Sequence, residues 1–308
     1  GSTPTPTPTP TRTSTFTPTR TPTLTQTPTP TPTPLPGQPV VSSITPTSGL
    51  ATGGTNVSIF GVNFLPVSVV SIGGQAASSA YVGPTQLDAV SPGLPPGTLN
   101  TVTVTNPGLS GSLLNGWMAD FGDVPQSSPY HGDVEKVFRN GVTAGCAAGA
   151  YCPQSPVLRS EMAVFLLKAK HGATHVPTPC AGIFADVVCP STPSFPYSDW
   201  IEQLLQDGIT GGCDTNPLRY CPDRTVSRAE MAVLLLLTKH ESGYVPPPCT
   251  GIFSDVPCIP VPAFAVDWIE ELSLEGITAG CGGGNYCPDQ PIPREQMATL
   301  LVRTFGLP

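Results

Sequence analysis

From Gln38 to about Asp120 the apolar residues come in short alternating runs, Val57 to Phe60, Val67 to Ile72, Gln86 to Val90 and Thr101 to Thr105, broken by Gly and Pro. A period of two puts every second side chain on one face of a strand, so this stretch predicts a small antiparallel sandwich. After Phe121 the period lengthens. Val134, Val137 and Phe138 stand at i, i+3 and i+4, Met162, Val164, Phe165 and Leu166 open a second run, and Trp268, Ile269, Leu272 and Leu274 supply the apolar face of a later one. That spacing predicts amphipathic helices. The longest continuous apolar run, Met231 to Leu237, predicts one face of a buried helix and falls far short of the eighteen or so residues a membrane span needs.

The helical half repeats itself. Phe-x-Asp-Val occurs at Phe121 to Val124, Phe184 to Val187 and Phe253 to Val256, and each copy leads to Gly-[Ile/Val]-Thr-x-Gly-Cys, Tyr-Cys-Pro and an Arg at the head of an amphipathic run. Gly141, Gly208 and Gly276 mark a period near 68 residues, so one helix-loop-helix unit was built three times. Each of these glycines suits the left-handed position that ends a helix.

The first 36 residues obey a different rule. Thr holds every odd position from Thr3 to Thr33, and the even positions are Pro except at Arg12, Ser14, Phe16, Arg20, Leu24 and Gln26. Pro fixes φ and removes N–H groups, so the segment predicts an extended arm reaching on the order of 100 Å at about 3.1 Å per residue. It reads as a spacer or as a contact arm with modified Thr residues, Phe16 and Leu24 being its apolar contacts.

Net charge is −8 with 11% charged residues. No Lys/Arg stripe is present to displace phosphate counterions, which argues against nucleic acid as a partner. The chain opens on Gly1 rather than Met, the mark of a removed signal peptide or of an engineered terminus. Ten cysteines fall into five local couples, Cys146/Cys152, Cys213/Cys221 and Cys281/Cys287 in the repeated loops and Cys180/Cys189 and Cys249/Cys258 ahead of the second and third helix pairs. Even counts at short recurring spacings predict disulfides made in an oxidising, extracellular space; the rival reading, zinc, lacks CxxC knuckles and paired histidines.

Two resemblances follow from these residues. The series Ile44-Thr45-Pro46-Thr47-Ser48-Gly49, Gly53-Gly54-Thr55, Gly61-Val62-Asn63-Phe64, Ile72-Gly73-Gly74 and Val102 to Pro107 resembles the IPT/TIG family, which implies an immunoglobulin-like spacer or protein-contact module. Residues 120–304 resemble the S-layer homology (SLH) family, through Asp199-Trp200-Ile201, Gly208-Ile209-Thr210-Gly211-Gly212, Pro222-Asp223 and Ser227-Arg228-Ala229-Glu230, with a second good copy in the third repeat. The resemblance implies a mostly α, pseudo-threefold SLH bundle whose grooves bind acidic cell-wall glycans. The resulting layout is a Thr/Pro arm at 1–36, an all-β Ig-like sandwich at 37–120, and SLH repeats at 121–175, 176–244 and 245–308.

Arg159, Arg228 and Arg294 each stand where a second helix begins, at the positive end of its dipole, so something must offset the repulsion. Either each Arg pairs with a repeat-opening carboxylate, Asp123, Asp186 or Asp255, or guanidinium and helix N–H groups together receive an anion. Ser227 and Glu230 form a capping box; Leu158 and Pro293 lack its hydroxyl, and Gln296 replaces its Glu in the third repeat. Trp200 and Trp268 stack on a sugar or join the core, and Asp133 stands at their position in the first repeat, marking the groove that depends on that repeat as the one to have lost glycan binding. His131, His171, His175 and His240 lie apart from any activated nucleophile, and pairs such as Glu270/Glu271 read as exposed. The candidate glycan or anion residues are therefore Arg159, Arg228, Arg294, Asp186, Asp255, Trp200 and Trp268. No catalytic centre, cofactor or metal is expected. The partners expected are surface polysaccharide, or copies of the chain itself in a filament or sheath, with neither nucleic acid nor membrane insertion.

Overall fold

The computed structural model describes residues 35–258 and 265–308. The expectations for the arm, Phe16 and Leu24 included, lie outside the described residues.

The sandwich consists of β1 (Val40–Thr45), β2 (Ser48–Gly49), β3 (Asn56–Val62), β4 (Val69–Ile72), β5 (Gln75–Gly83), β6 (Gln86–Val90), β7 (Thr98–Asn106) and β8 (Leu109–Ala119). They run in the order β1-β3-β6-β5-β4-β7-β8-β2. All neighbours are antiparallel except β2 with β8. β5 links the two halves, its first residues pairing with β4 and its later ones with β6. The four alternating runs become β3, β4, β6 and β7, and their inward residues Ile59, Ile72, Val102 and Val104 are fully buried with Trp117. β1, β2, β5 and β8 lie outside the expected runs. β5 is exposed along nearly its whole length, and alternation records a buried face, so a strand without one leaves no period to read.

Among the described residues six helices follow: α1 (His131–Arg139), α2 (Arg159–His171), α3 (Ser198–Gln206), α4 (Arg228–His240), α5 (Val266–Leu274) and α6 (Arg294–Phe305). Among the described residues no helix is long and apolar enough to cross a membrane. Gly141, Gly208 and Gly276 take φ of 65°, 69° and 71°, ending α1, α3 and α5 as the glycine positions predict. α4 is enclosed more fully than a single face: Met231, Ala232, Leu234, Leu235 and Leu236 are all buried. Leu274 corrects the expected apolar face of α5, being 65% exposed while Val266, Ile269 and Leu272 are buried. Five residues beyond Ile269 is a turn of about 140° away from it, whereas Val266 and Leu272 lie three residues to either side. All five cysteine couples are disulfides.

The three units close on one another through the residues just ahead of α2, α4 and α6. Val157 N–H donates to Ile292 O (2.9 Å), Ile292 N–H to Val226 O (3.0 Å) and Val226 N–H to Val157 O (2.9 Å). All three side chains are fully buried, so these bonds form a closed cycle at the centre of the helical core. Around it, the hydroxyl of Tyr220 donates to Arg159 O (2.8 Å), that of Tyr286 to Arg228 O (2.7 Å) and that of Tyr151 to Arg294 O (3.0 Å). Burial pushes all three phenols well above their ordinary range, which keeps them protonated as donors.

α1 also carries the junction with the sandwich. Glu135 accepts the hydroxyls of Thr47 and Ser48 at 2.8 and 2.9 Å, and Arg139 donates to Asn115 O, Thr47 O and Glu135. His131 lies 3.2 Å from the buried Asp120.

Candidate ligand groove

Arg159, Arg228 and Arg294 are the first residues of α2, α4 and α6 and are only 4%, 6% and 3% exposed. Each guanidinium lies over the tyrosine ring of the next unit in the cycle, at 4.8 Å from Tyr220, 4.8 Å from Tyr286 and 5.2 Å from Tyr151. Each Nε donates to that tyrosine's carbonyl at 2.8, 2.8 and 2.9 Å. These contacts hold the cations at the helix starts and offset the dipole repulsion.

The partner of Nη1 distinguishes the three. Arg159 pairs with Glu230 (3.1 Å) and Arg294 with Glu161 (3.0 Å), but Arg228 meets the neutral Gln296 (2.8 Å). Arg224 also binds Glu230, and Thr143 accepts from Nη2 of Arg294 at 3.2 Å. Arg228 is thus the one of the three that no carboxylate neutralises.

Pairing with the repeat-opening aspartates does not occur. Asp123 accepts the N–H groups of Tyr151 and Cys152, Asp186 those of Tyr220 and Cys221, and Asp255 those of Tyr286 and Cys287, at 2.7 to 2.8 Å. Those cysteines have φ of 57°, 56° and 60°, a left-handed turn whose outward N–H groups engage both oxygens of the carboxylate in place of a guanidinium. Asp186 and Asp255 also lie beside the disulfide sulfurs of their loops; an oxidised sulfur offers no thiolate, and both aspartate oxygens are engaged, so neither cluster is a metal centre.

A groove of about 380 Å³ opens beside Arg228, lined by Tyr130 of the first unit and by Thr278, Gln290, Gln296, Thr299 and Arg303 among others. The Thr299 hydroxyl donates to Asp133 at 2.5 Å, so this groove is the one that depends on the first unit, and it keeps an Arg without a carboxylate partner, contrary to the expectation that it had lost its function. A second cleft, about 590 Å³, contains Arg224 but also Glu230, Asp255 and Asp289. Asp255 therefore lies in a different cleft from Arg228. Neither tryptophan lines either one. Trp200 is half-buried with His175 edge-on at 5.8 Å and Lys168 Nζ 5.8 Å from its ring centre, and Trp268 has Tyr244 edge-on at 5.9 Å. His171 stacks on His175 at 4.6 Å and His240 on Tyr244 at 4.3 Å.

The capping box forms as expected: Glu230 N–H donates to Ser227 Oγ and Ser227 N–H to Glu230. In α2 only the returning half survives, from Leu158 N–H to Glu161. The exposed reading of Glu270 is wrong. It is 2% exposed and accepts the N–H groups of Thr250, Gly251 and Ile252, while Glu271 accepts the Tyr244 hydroxyl. Glu202, fully buried, holds Ala181 and Ile183 in the same way. A Glu next to an apolar Ile in a helix reads as solvent-facing; only the disulfide-closed loop laid over it reverses that. Arg303 and Thr278 were missed for a similar reason, since they meet Arg228 only across the cycle.

Residues 39–116 match the IPT/TIG domain family and residues 120–163 the S-layer homology domain family. No curated protein matches the chain. Solved structures overlap it in part. The TIG domain of human nuclear factor of activated T-cells, cytoplasmic 4, is 18% identical over 25% of this chain and 85% of that one, with a TM-score of 0.23. An auxiliary nutrient binding protein from Bacteroides ovatus is 24% identical over 27% and 21%, with a TM-score of 0.22. The plexin A4 full extracellular region is 22% identical over 24% and 8%, with a TM-score of 0.21. The chain carries an IPT/TIG domain followed by an SLH domain, both from non-catalytic families.

Proposed function

We propose that this is a non-enzymatic extracellular protein that binds an acidic surface polysaccharide through an SLH triplet. The triplet reading rests on the closed backbone cycle and on the three equivalent Arg–Tyr contacts. One observation carries the glycan reading: Arg228 has only a neutral side-chain partner and lines a groove that also holds Arg303, while the adjoining Asp133 carboxylate is engaged by Thr299. A carboxylate on a sugar finds there the charge that Glu230 and Glu161 cancel beside Arg159 and Arg294. The working site is then one groove rather than three.

Retention on native cell-wall polysaccharide, compared with the same material after reduction of its carboxyl groups, tests this. Arg228→Ala and the more exposed Arg303→Ala are each expected to lose at least about tenfold in affinity, the lower range for a charged hydrogen bond. The carboxyl-reduced polysaccharide is expected to release the unaltered protein. Retention unchanged in both variants rejects the glycan reading.

A further inference from the structure

β5 leaves part of one backbone edge without a paired strand. Gly73 and Gly74, with φ of 60° and 77°, turn β4 into β5 through a two-residue hairpin closed by Ile72 and Gln75. In such a hairpin the closing pair is hydrogen-bonded, so the backbone groups of Gln75, Ala77, Ser79 and Tyr81 face the β4 side. The opposite side agrees: Ser91 N–H bonds Thr55 O toward β3, which turns Val90 toward β5, opposite Ser78. β4 begins only at Val69, so past Ser78 no strand pairs with that edge; the connection from β3 to β4 is tied at its start to the end of the hairpin, Phe64 N–H bonding Pro84 O at 3.0 Å. Among the described residues nothing bonds the outward N–H or C=O of Ser79 or Tyr81.

Exposed edges are ordinarily blunted by charge, proline or a cover. β5, Gln-Ala-Ala-Ser-Ser-Ala-Tyr-Val-Gly, has neither charge nor proline. Around it Val67, Val69, Tyr81 and Val82 are 63%, 61%, 40% and 55% exposed. Such an edge suits an added strand.

The chain contains a segment made for one side of a ladder. In an extended strand the N–H and C=O of one residue point to the same edge and those of its neighbour to the other. With Thr at every odd position from Thr3 to Thr33 and Pro at most even ones, one edge keeps its donors and the other loses most of them. A strand of this sequence pairs once and then stops. We propose that the free edge of β5 from Ser78 to Gly83 receives part of the Thr3 to Thr33 segment of a second copy as an added strand. The length of that segment favours a second copy: an edge of six residues needs three Thr, and β5 lies three strand spacings, about 14 Å, from β1, yet the period persists over a reach of about 100 Å. This surface is separate from the groove at Arg228 and does not depend on glycan binding.

Sedimentation equilibrium of the full chain, with amide exchange read over β5, tests the proposal. The average mass is expected to rise with concentration while the Ser79 and Tyr81 amides exchange at least tenfold more slowly than in the dissociated chain. Ser79→Pro removes an outward N–H and leaves the β6 ladder untouched; it is expected to weaken association at least tenfold. A full-length chain with residues 3–33 replaced by a Gly/Ser segment of equal length is expected to do the same, and it decides the matter if Ser79→Pro does not fold. A monomer at every concentration overturns the proposal, and so does protection of β5 within a monomer, which would mean the chain's own segment sits there. Association unmoved by the Gly/Ser replacement overturns it equally.

Discussion

Glu135 accepts the Ser48 hydroxyl at 2.9 Å, and this bond stands where the later units grip a disulfide loop. Glu135 follows the buried Val134 as Glu202 follows Ile201 and Glu270 follows Ile269. In the second and third units that glutamate holds the N–H groups of a loop closed by Cys180–Cys189 or Cys249–Cys258. In the first unit the sandwich takes the loop's place, so one helical position has been used twice for a loop and once for a domain.

Removing that grip should loosen the junction. Glu135→Ala is expected to cost about 1.5–3 kcal/mol, the range for hydrogen bonds to a charged acceptor. Trp117 lies in the sandwich core, and in a Trp200→Phe/Trp268→Phe background its fluorescence reports that core alone, while the helices dominate far-UV circular dichroism. Urea transitions followed by both signals should coincide in the parent and separate in the variant. Coincident curves in Glu135→Ala would show that the remaining contacts suffice.

Gln296→Glu should close the candidate groove. It places a carboxylate opposite Arg228, reproducing the pairs at Arg159 and Arg294. Affinity for an acidic polysaccharide is expected to drop at least about tenfold with no loss of thermal stability, since a charged hydrogen bond replaces a neutral one. Undiminished binding would separate the groove from the anion.

His131 should make the junction sensitive to alkali. The Asp120 carboxylate, 3.2 Å from its Nε2, raises the imidazole above its ordinary 6.5 against the opposing effect of burial. A raised value in the folded state contributes stability that is fully present below pH 6.5 and is lost as pH rises through the folded value. His131→Gln should therefore flatten the stability profile across that window, as measured by urea midpoints at successive pH values.

Glu270→Ala should cost about 2–4 kcal/mol, because three loop N–H groups lose a charged acceptor in a buried site. A solvent-facing glutamate would cost within about 0.5 kcal/mol. The carboxyl titrates below its ordinary 4.5: burial pushes it up, but the hydrogen bonds from Thr250, Ile252 and Gly251 together outweigh that. Its contribution is thus present above pH 4.5 and is lost as pH falls through the folded value. Urea midpoints of parent and variant should converge in acid.

The sequence by itself determined everything that depends on near neighbours. Four strands, β3, β4, β6 and β7, the glycines ending α1, α3 and α5, the Ser227–Glu230 box and the five disulfides all follow from residues a few positions apart, where chain geometry limits what can meet. The order of the units was equally legible, because a repeat needs only comparison with itself. Tertiary structure decided which partner each charge would find. The same Arg begins three helices, yet its electrostatic role is set by a residue some seventy positions after it or well over a hundred before it in the chain, Glu230, Gln296 or Glu161. The burial of Glu202 and Glu270 arises likewise from loops folded back over their helices. Local pattern reports a side chain's periodicity, whereas the free energy of a charge depends on what lies within a few ångströms in space, and only the closing of the three units brings those groups together.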